Sequence, residues 1–299
     1  MPLKILRLGN SESDSSQLSL GHHSFPNLST LYMCRYFDSL SALVTSKTIE
    51  NLWIDAPVPI SICLKILRSA TNLREIMHLV VDDTETVASI QDVVAPNLTD
   101  VKRLYFEYGY SAGPLISALT APNLKFLRVA KRMLKIRLAF DASSFLPKAG
   151  QSRMPKLETL FIDETTRPVD IGILLRSIPS LRILILESKT ILNENTMQGL
   201  ASGELGPRLW KMHLQDECIA HDPERILTMI EARRGLDIGM GNDSWGRSPS
   251  RRMIFTFVVR DGGKLDEYER RINDLGRDGV IVQFNSVRLG LYWKDIISL

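Results

Sequence analysis

The chain has 299 residues, of which 44% are hydrophobic and 24% are charged, and this composition favours a folded protein over an intrinsically disordered polypeptide. Its net charge of +3 comes from 37 basic and 34 acidic residues spread along the chain, which is not the footprint of a nucleic-acid-binding protein. The densest basic stretch alternates with apolar residues, a pattern more typical of a solvated face than of a phosphate-binding patch; it contains Lys131, Arg132, Lys135 and Arg137. We therefore expect no nucleic-acid partner.

The N-terminal segment MPLKILRLGNSESD has neither the apolar core nor the small-residue cleavage site of a secretory signal. No window of the sequence reaches the roughly 18 apolar residues that a membrane-spanning helix needs. The three cysteines are too few and too scattered for a disulfide framework. These features predict a reduced protein of the cytoplasm or nucleus with no membrane partner.

One sequence word, Pro-x-Leu-x-x-Leu-x-Leu, recurs along the chain. Its clearest copies are PLKILRL, PNLSTLYM, PNLKFLRV, PKLETLFI, PSLRILIL and PRLWKMHL. Weaker copies are IENLWI, LREIMHLV and VKRLYF. The sequence does not fix the register of the copy LREIMHLV. The first apolar positions are Leu3, Leu28, Ile49, Leu73, Val101, Leu124, Leu157, Leu181 and Leu209, so successive gaps run from 21 to 33 residues. This is the period of a leucine-rich repeat with insertions.

The last two apolar residues of each word are two positions apart, which predicts a short strand with both side chains on one face. Between words the pattern changes to that of a helix, most clearly at Ile60, Cys63, Leu64 and Leu67. Another helix is predicted between the N-cap Asp222 and Gly235. Arg233 and Arg234 lie in its last turn, where their positive charges interact favourably with the helix dipole. Each unit is therefore expected to contain one strand and one helix.

The predicted fold class is α/β: an irregular leucine-rich-repeat solenoid with a curved strand ladder, over residues 1–235. Stacking would bury the apolar stripe that a single unit leaves open, including Leu160 and Leu184. Residues 236–299 are predicted to form a strand-helix-strand cap that continues the same sheet, with its helix stopping at Gly276. A separate small C-terminal domain is the alternative.

Residues suited to chemistry are scattered, and we expect neither catalysis, nor a metal, nor a cofactor. Cys218 and His221 form a lone C-x-x-H with His213 nearby, whereas a structural zinc site needs four ligands. Gly239 and Gly241 supply only part of a dinucleotide-binding loop. An enzyme hidden in the C-terminal tail is the alternative that these residues leave open.

The strand register predicts two columns of side chains on the outward face of the ladder. The first column is Arg7, Tyr32, Trp53, Tyr105, Arg128, Phe161, Ile185 and His213, and the second is Gly9, Cys34, Asp55, Glu107, Ala130, Asp163, Glu187 and Gln215. An aromatic stripe flanked by carboxylates usually marks an interaction site. The predicted partner-binding residues are Tyr32, Trp53, Asp55, Tyr105, Glu107, Arg128, Phe161, Asp163, Glu187 and His213. The alternatives are that strand propensity alone explains the aromatics, or that the tail covers them.

Several words resemble the leucine-rich-repeat region of fungal F-box proteins. The words that carry this resemblance are TAPNLKFLRV, MPKLETLFIDE, SIPSLRILILES and GPRLWKMHL, followed by the helix MIEARRG, and it spans roughly residues 20 to 260. In that family, F-box helices join a cullin-type ubiquitin ligase, and the repeats select the protein to be ubiquitinated.

The resemblance implies a substrate-recognition module that binds another protein of unknown identity. The sequence contains no helical segment opening with the Leu-Pro-x-Glu pattern of an F-box, because the first word already begins at Pro2. A ubiquitin ligase adaptor is therefore expected as a partner only if an F-box precedes this chain. A stand-alone leucine-rich-repeat scaffold or regulator unrelated to ubiquitin is the alternative.

Overall fold

The computed structural model describes most of the recurring words and the helices between them. The described residues are 4–8, 27–34, 48–69, 72–82, 98–108, 113–131, 145, 153–163, 165, 167–214, 218–219, 223–234, 253–259 and 265–286. The fold is mixed α/β, as predicted from the alternation of strand and helix patterns.

The main element is an 11-stranded sheet in which every neighbouring pair is parallel. Its strands are β1 (Ile5–Leu8), β2 (Thr30–Met33), β3 (Asn51–Pro59), β4 (Glu75–Asp82), β5 (Arg103–Tyr108), β6 (Phe126–Lys131), β7 (Thr159–Ile162), β9 (Ile183–Leu186), β11 (Lys211–Leu214), β13 (Met253–Val259) and β14 (Val280–Ser286). They lie side by side in chain order. A second, parallel sheet has the order β12-β10-β8 and consists of β8 (Val169–Asp170), β10 (Thr190–Ile191) and β12 (Cys218–Ile219).

The helices are α1 (Ile60–Ser69), α2 (Gly113–Ala118), α3 (Ile171–Ser177), α4 (Glu194–Ala201), α5 (Pro223–Arg234) and α6 (Leu265–Arg277). The helix predicted from Ile60 is confirmed, and the segment predicted after Asp222 is helical from Pro223 to Arg234. Asp222 and Gly235 themselves lie outside the described residues. Asp170 and Asn193 cap α3 and α4 by accepting hydrogen bonds from the backbone N–H groups three residues later.

The apolar pairs of the words form the core between the main sheet and the helices. In β3, Leu52 and Ile54 are fully buried, as the two-residue spacing predicts. Leu160 and Leu184 are register partners in β7 and β9 and are both 0% exposed, which confirms that they are core residues.

Backbone hydrogen bonds join consecutive words at the start of their strands. The carbonyl oxygen of Lys125 accepts from the N–H groups of Glu158 and Thr159, both at 2.9 Å. The carbonyl of Glu158 then accepts from Arg182 and Ile183 at 2.8 and 2.9 Å. This shared acceptor recurs along the sheet and holds successive strands in one register.

The copy at Leu73, whose register the sequence left open, contains a β-bulge. Ile76 pairs with Leu104 and Leu79 pairs with Phe106, with the irregularity between the two pairs. The second inward position of β4 is therefore Leu79, three residues after the first instead of two. One extra residue in this strand is the physical reason that the word does not fit the pattern of its neighbours.

The last two strands of the chain extend the main sheet. β13 pairs with β11 in parallel, β14 pairs with β13, and α6 packs on β14. The prediction that α6 stops at Gly276 is wrong: this glycine lies inside the helix, whereas Gly279, at φ 80°, reverses the chain before β14. The proposed division of the chain at residue 235 stays a prediction.

Arg233 has a role that helix-dipole reasoning did not anticipate. Its guanidinium is fully buried and donates to the carbonyl oxygens of Leu200 at 2.6 Å, Leu205 at 3.3 Å, Gly206, and Leu209 at 3.2 Å. Leu200 lies in the last turn of α4, and the other three acceptors lie between α4 and β11. Arg233 therefore fixes α5 to the preceding unit, and burial lowers the pKa of its guanidinium to about 10.

Candidate protein-binding face

The strand registers place the predicted first column in one row across the main sheet. We call this the outward row; in sheet order its positions outside β4 are Arg7, Tyr32, Trp53, Tyr105, Arg128, Phe161, Ile185, His213, Thr256 and Gln283. The bulge in β4 puts Met77 and His78 together opposite Tyr105. The outward row lies between the two inward apolar rows, because alternate residues of a strand point to opposite faces.

An aromatic pair follows Arg7 in this row. Tyr32 and Trp53 stack with ring centroids 5.4 Å apart and an interplanar angle of 29°. Both side chains are half-buried, so each retains surface that a partner could contact. A hydrogen bond with the Cys34 side chain, followed by burial, raises the pKa of the Tyr32 hydroxyl above its ordinary value.

A second aromatic pair lies further along the sheet. The rings of Tyr105 and Phe126 are tilted, with centroids 4.8 Å apart, and both residues are half-buried. Phe126 was not among the predicted site residues, because the two predicted columns contain only positions between and after the inward residues. It occupies the outward position before the first inward residue of its strand, and this alternation could have identified it.

Exposure divides the outward row into two parts. Phe161, Ile185 and His213 were expected to face solvent, but they are only 4%, 8% and 6% exposed. The guanidinium carbon of Arg128 lies 4.7 Å from the centroid of the Phe161 ring, in cation–π geometry, and so covers part of that ring. The aromatic rings that a partner can reach without rearrangement are therefore Tyr32, Trp53 and Tyr105 of the outward row, together with Phe126 one outward position nearer the amino end of its strand. We call these four residues the aromatic part of the outward row.

The predicted acidic column follows the outward row at the carboxyl ends of the strands. Asp55 is exposed, Glu107 and Glu187 are half-buried, and Asp163 is 9% exposed. The N–H group of Asp163 donates to the carbonyl oxygen of Val129 at 2.9 Å, and the N–H group of Glu187 donates to that of Ile162 at 2.9 Å. The backbone hydrogen bonds between strands therefore continue through these positions. We call these four carboxylates the acidic edge.

The opposite edge of the face, at the amino ends of the strands, is predominantly basic. Its basic residues are Lys4, Arg74, Lys102, Arg103, Lys125, Arg182 and Lys211, and its acidic residues are Glu50, Glu75 and Glu158. Each glutamate pairs with a cation: Glu50 with Arg74 at 3.7 Å, Glu75 with Arg103 at 3.4 Å, and Glu158 with Lys125 at 3.8 Å. The basic residues outnumber the acidic ones by four. We call this set of residues the basic edge.

Sequence reasoning missed the basic edge because it followed only the positions after the inward residues. The charges are visible in the words themselves, for example as Lys102 before β5 and Lys125 before β6. Gly9 and Gln215 of the second column lie outside the described residues, as do Arg132, Lys135, Arg137 and His221.

Other features of the described residues offer less for function. A groove of about 570 Å³ lies between α3 and α4 and is lined by residues that include Leu175, Arg176, Gln198 and Glu204. Within the described ranges, no three histidine, cysteine or acidic side chains are grouped so that they could hold a metal ion. None of the described helices is both long and apolar enough to cross a membrane.

Comparison of the chain with models of known protein families and with curated proteins gives no match. Its function is therefore inferred from its own residues.

Proposed function

We propose that this chain is an irregular leucine-rich-repeat solenoid and that the outward face of its sheet binds another protein. The solenoid is supported by the recurring word, by strands that lie in chain order, and by the carbonyl acceptors shared between consecutive words. Such an array presents one long, open face, which is the usual binding surface of repeat proteins.

The observation that carries the binding role is the half-buried aromatic part of the outward row. Two ring pairs, Tyr32 with Trp53 and Tyr105 with Phe126, occupy positions where a solvated strand would carry polar side chains. Aromatic residues concentrate the binding energy of protein interfaces, because they combine a large apolar area with few rotatable bonds. A peptide or protein surface is therefore the ligand that suits this face.

Site-specific photo-cross-linking tests this proposal. Tyr105→p-benzoylphenylalanine places the reactive group on the outward face, and the same replacement at Gln198, exposed on α4, is the matched control. We expect position 105 to cross-link one protein that position 198 does not, and we expect Trp53→Ala to reduce that product. Equal labelling from both positions, unchanged by Trp53→Ala, would exclude the outward face as the binding site.

We further propose that the bound protein is a substrate of an F-box-type ubiquitin ligase. This rests on the resemblance of the repeat words to the family, with the ligase adaptor as a partner only through an F-box in the same gene product. Quantitative mass spectrometry of the endogenous protein and its complexes is the test. Adaptor and cullin near stoichiometric amounts are expected, whereas a cross-linked partner without adaptor would favour a scaffold or regulator unrelated to ubiquitin.

A further inference from the structure

We propose that the segment of the partner protein that docks on this face is acidic and carries an aromatic or leucine side chain close to its carboxylate. The carboxylate is bound at Lys102, and the apolar side chain packs on the rings of Tyr105 and Phe126. This inference rests on the proposed function and specifies the chemistry of the partner. Its basis is the distribution of charge at the amino ends of β4, β5 and β6.

Lys102 is an exposed cation that lies between two other cations. Its backbone N–H donates to the carbonyl oxygen of Arg74 at 2.9 Å, and its own carbonyl oxygen accepts from the N–H of Lys125 at 2.9 Å. Arg103 follows Lys102 directly in the chain. We call these four residues the cationic cluster. Like charges on neighbouring strands repel each other, so the cluster favours an anion that lies among its side chains.

The carboxylates that pair with the cationic cluster do not neutralise its centre. Glu50 and Glu158 lie beyond Arg74 and Lys125, on the sides away from Lys102. The ion pairs are Arg74 with Glu50 at 3.7 Å, Arg103 with Glu75 at 3.4 Å, and Lys125 with Glu158 at 3.8 Å. The three paired cations have side chains that are 68%, 62% and 58% exposed. Such exposed pairs are weak, so these cations also remain available to a partner's carboxylate.

Lys102 is the member of the cluster that has no carboxylate partner in the described part of the chain. Asp100, two residues earlier, is exposed and forms no ion pair with any residue that the structure describes. A carboxylate of the partner can therefore approach Lys102 without displacing an acidic side chain that is already bound there. Charge complementarity of this kind selects an acidic partner over a basic one.

Two half-buried rings adjoin the cationic cluster. Phe126 follows Lys125 in the chain and is the register partner of Arg103, and its ring centroid lies 4.8 Å from that of Tyr105. One residue along and one strand across separate Phe126 from Lys102, which is about 6 Å. Alternate residues of an extended segment are separated by a similar distance, roughly 6.6 Å. An acidic residue and an apolar residue two positions apart can therefore reach Lys102 and the rings together.

The carboxylates of the basic edge favour a peptide over a nucleic acid as the anionic ligand. Glu50, Glu75 and Glu158 lie among the cations, and a continuous phosphate backbone laid along this edge would meet them as well. A peptide avoids this repulsion, because it can carry one or two carboxylates at selected positions.

Binding of short synthetic peptides tests the inference. The first peptide carries two glutamates beside a phenylalanine and a leucine. The second has glutamines in place of the glutamates, and the third has serines in place of the phenylalanine and the leucine. Fluorescence anisotropy measures their affinities at about 0.01 M and 1 M salt, where the screening lengths are roughly 30 and 3 Å. At low salt the first peptide should bind at least about tenfold more tightly than the others, and its advantage over the glutamine peptide should shrink at high salt.

Variants of the protein locate the effect. Lys102→Gln should weaken binding of the first peptide at least about fivefold at low salt and leave the glutamine peptide unaffected. Arg270→Gln is the matched control, since it removes one positive charge from an exposed position of α6, and it should change neither affinity. Phe126→Ala should weaken both peptides at either salt concentration, because an apolar contact is not screened. Circular dichroism confirms that each variant is folded.

The outcomes separate this inference from the proposed function. If no peptide binds, or if Lys102→Gln acts no more strongly than Arg270→Gln, while position 105 still cross-links a protein that position 198 does not, the acidic segment is overturned and the binding role stands. A single-stranded oligonucleotide that binds as tightly as the first peptide, with the same dependence on Lys102, would overturn the peptide in favour of a nucleic acid. If peptide binding and cross-linking are both absent, the two proposals fail together.

Discussion

Leu52 and Trp53 are consecutive residues of β3 on opposite faces of the sheet: Leu52 is fully buried in the core, whereas Trp53 stacks on Tyr32 outside it. This opposition links the fold to the proposed binding face, because a shift of one residue would exchange the two roles.

The first prediction compares these two neighbours. Leu52→Ala should lower the free energy of unfolding by roughly 2–5 kcal/mol, through lost burial and the cavity it leaves. Trp53→Ala should cost about 1 kcal/mol, since its ring is only half-buried. Urea unfolding followed by circular dichroism measures both values. A larger loss for Trp53→Ala than for Leu52→Ala would mean that the assigned register is wrong.

The second prediction concerns the stacked pair Leu160 and Leu184. Each change to Ala should lower the free energy of unfolding by roughly 2–5 kcal/mol. The loss in the double variant should differ from the sum of the two single losses by at least about 0.5 kcal/mol, because contacting residues share one cavity. The double-mutant cycle is measured by urea unfolding. Leu64, buried in α1, supplies the distant control, whose combination with Leu160→Ala should be additive. A loss below about 1 kcal/mol at both sites would show that neither belongs to the core.

The third prediction concerns Arg233 and its neighbour Arg234. Arg233→Met should destabilise the protein by at least about 3 kcal/mol, because four buried carbonyl oxygens lose a charged donor, although those of Leu200 and Gly206 keep a backbone N–H donor. Arg234→Met is the matched control: its partner Asp278, at 2.6 Å, is exposed, so its loss should cost less than about 1 kcal/mol. Thermal unfolding of both variants checks the difference. Equal losses would show that the four carbonyl contacts add little stability.

The fourth prediction is a pH dependence at the junction of α5 and α6. Arg271 donates to Glu231 at 2.8 and 2.7 Å, and this hydrogen bonding lowers the pKa of Glu231 below its ordinary value of 4.5. The pair therefore contributes stability above pH 4.5 and loses it as the pH falls through the lower folded pKa. The melting temperature of the wild type should fall more steeply below pH 4.5 than that of Glu231→Gln. Parallel acid profiles of the two proteins would contradict this assignment.

The strand registers were predictable because the spacing of apolar residues carries them. Leu52 and Ile54 are buried as their two-residue alternation requires, and the same alternation places Trp53 outward. The word at Leu73 resisted assignment because a bulge adds one residue to β4, which a fixed pattern cannot represent.

The exposure of the outward side chains was less predictable. It depends on side chains from neighbouring strands, as when the Arg128 guanidinium covers the Phe161 ring. The contacts of Arg233 were hidden for a similar reason, since its acceptors lie 24 to 33 residues away along the chain. The local spacing of apolar residues indicates which face of the sheet a residue occupies, whereas the burial of that residue depends on long-range contacts.

A titration is the sharpest test of whether the aromatic part of the outward row binds a protein. The protein identified by cross-linking at position 105 would be titrated against the wild type, Trp53→Ala and Gln198→Ala by isothermal calorimetry. We expect Trp53→Ala to weaken binding at least about thirtyfold while the protein stays folded, and Gln198→Ala to leave the affinity unchanged. An affinity unchanged by a folded Trp53→Ala variant, or lost equally with Gln198→Ala, would contradict this expectation.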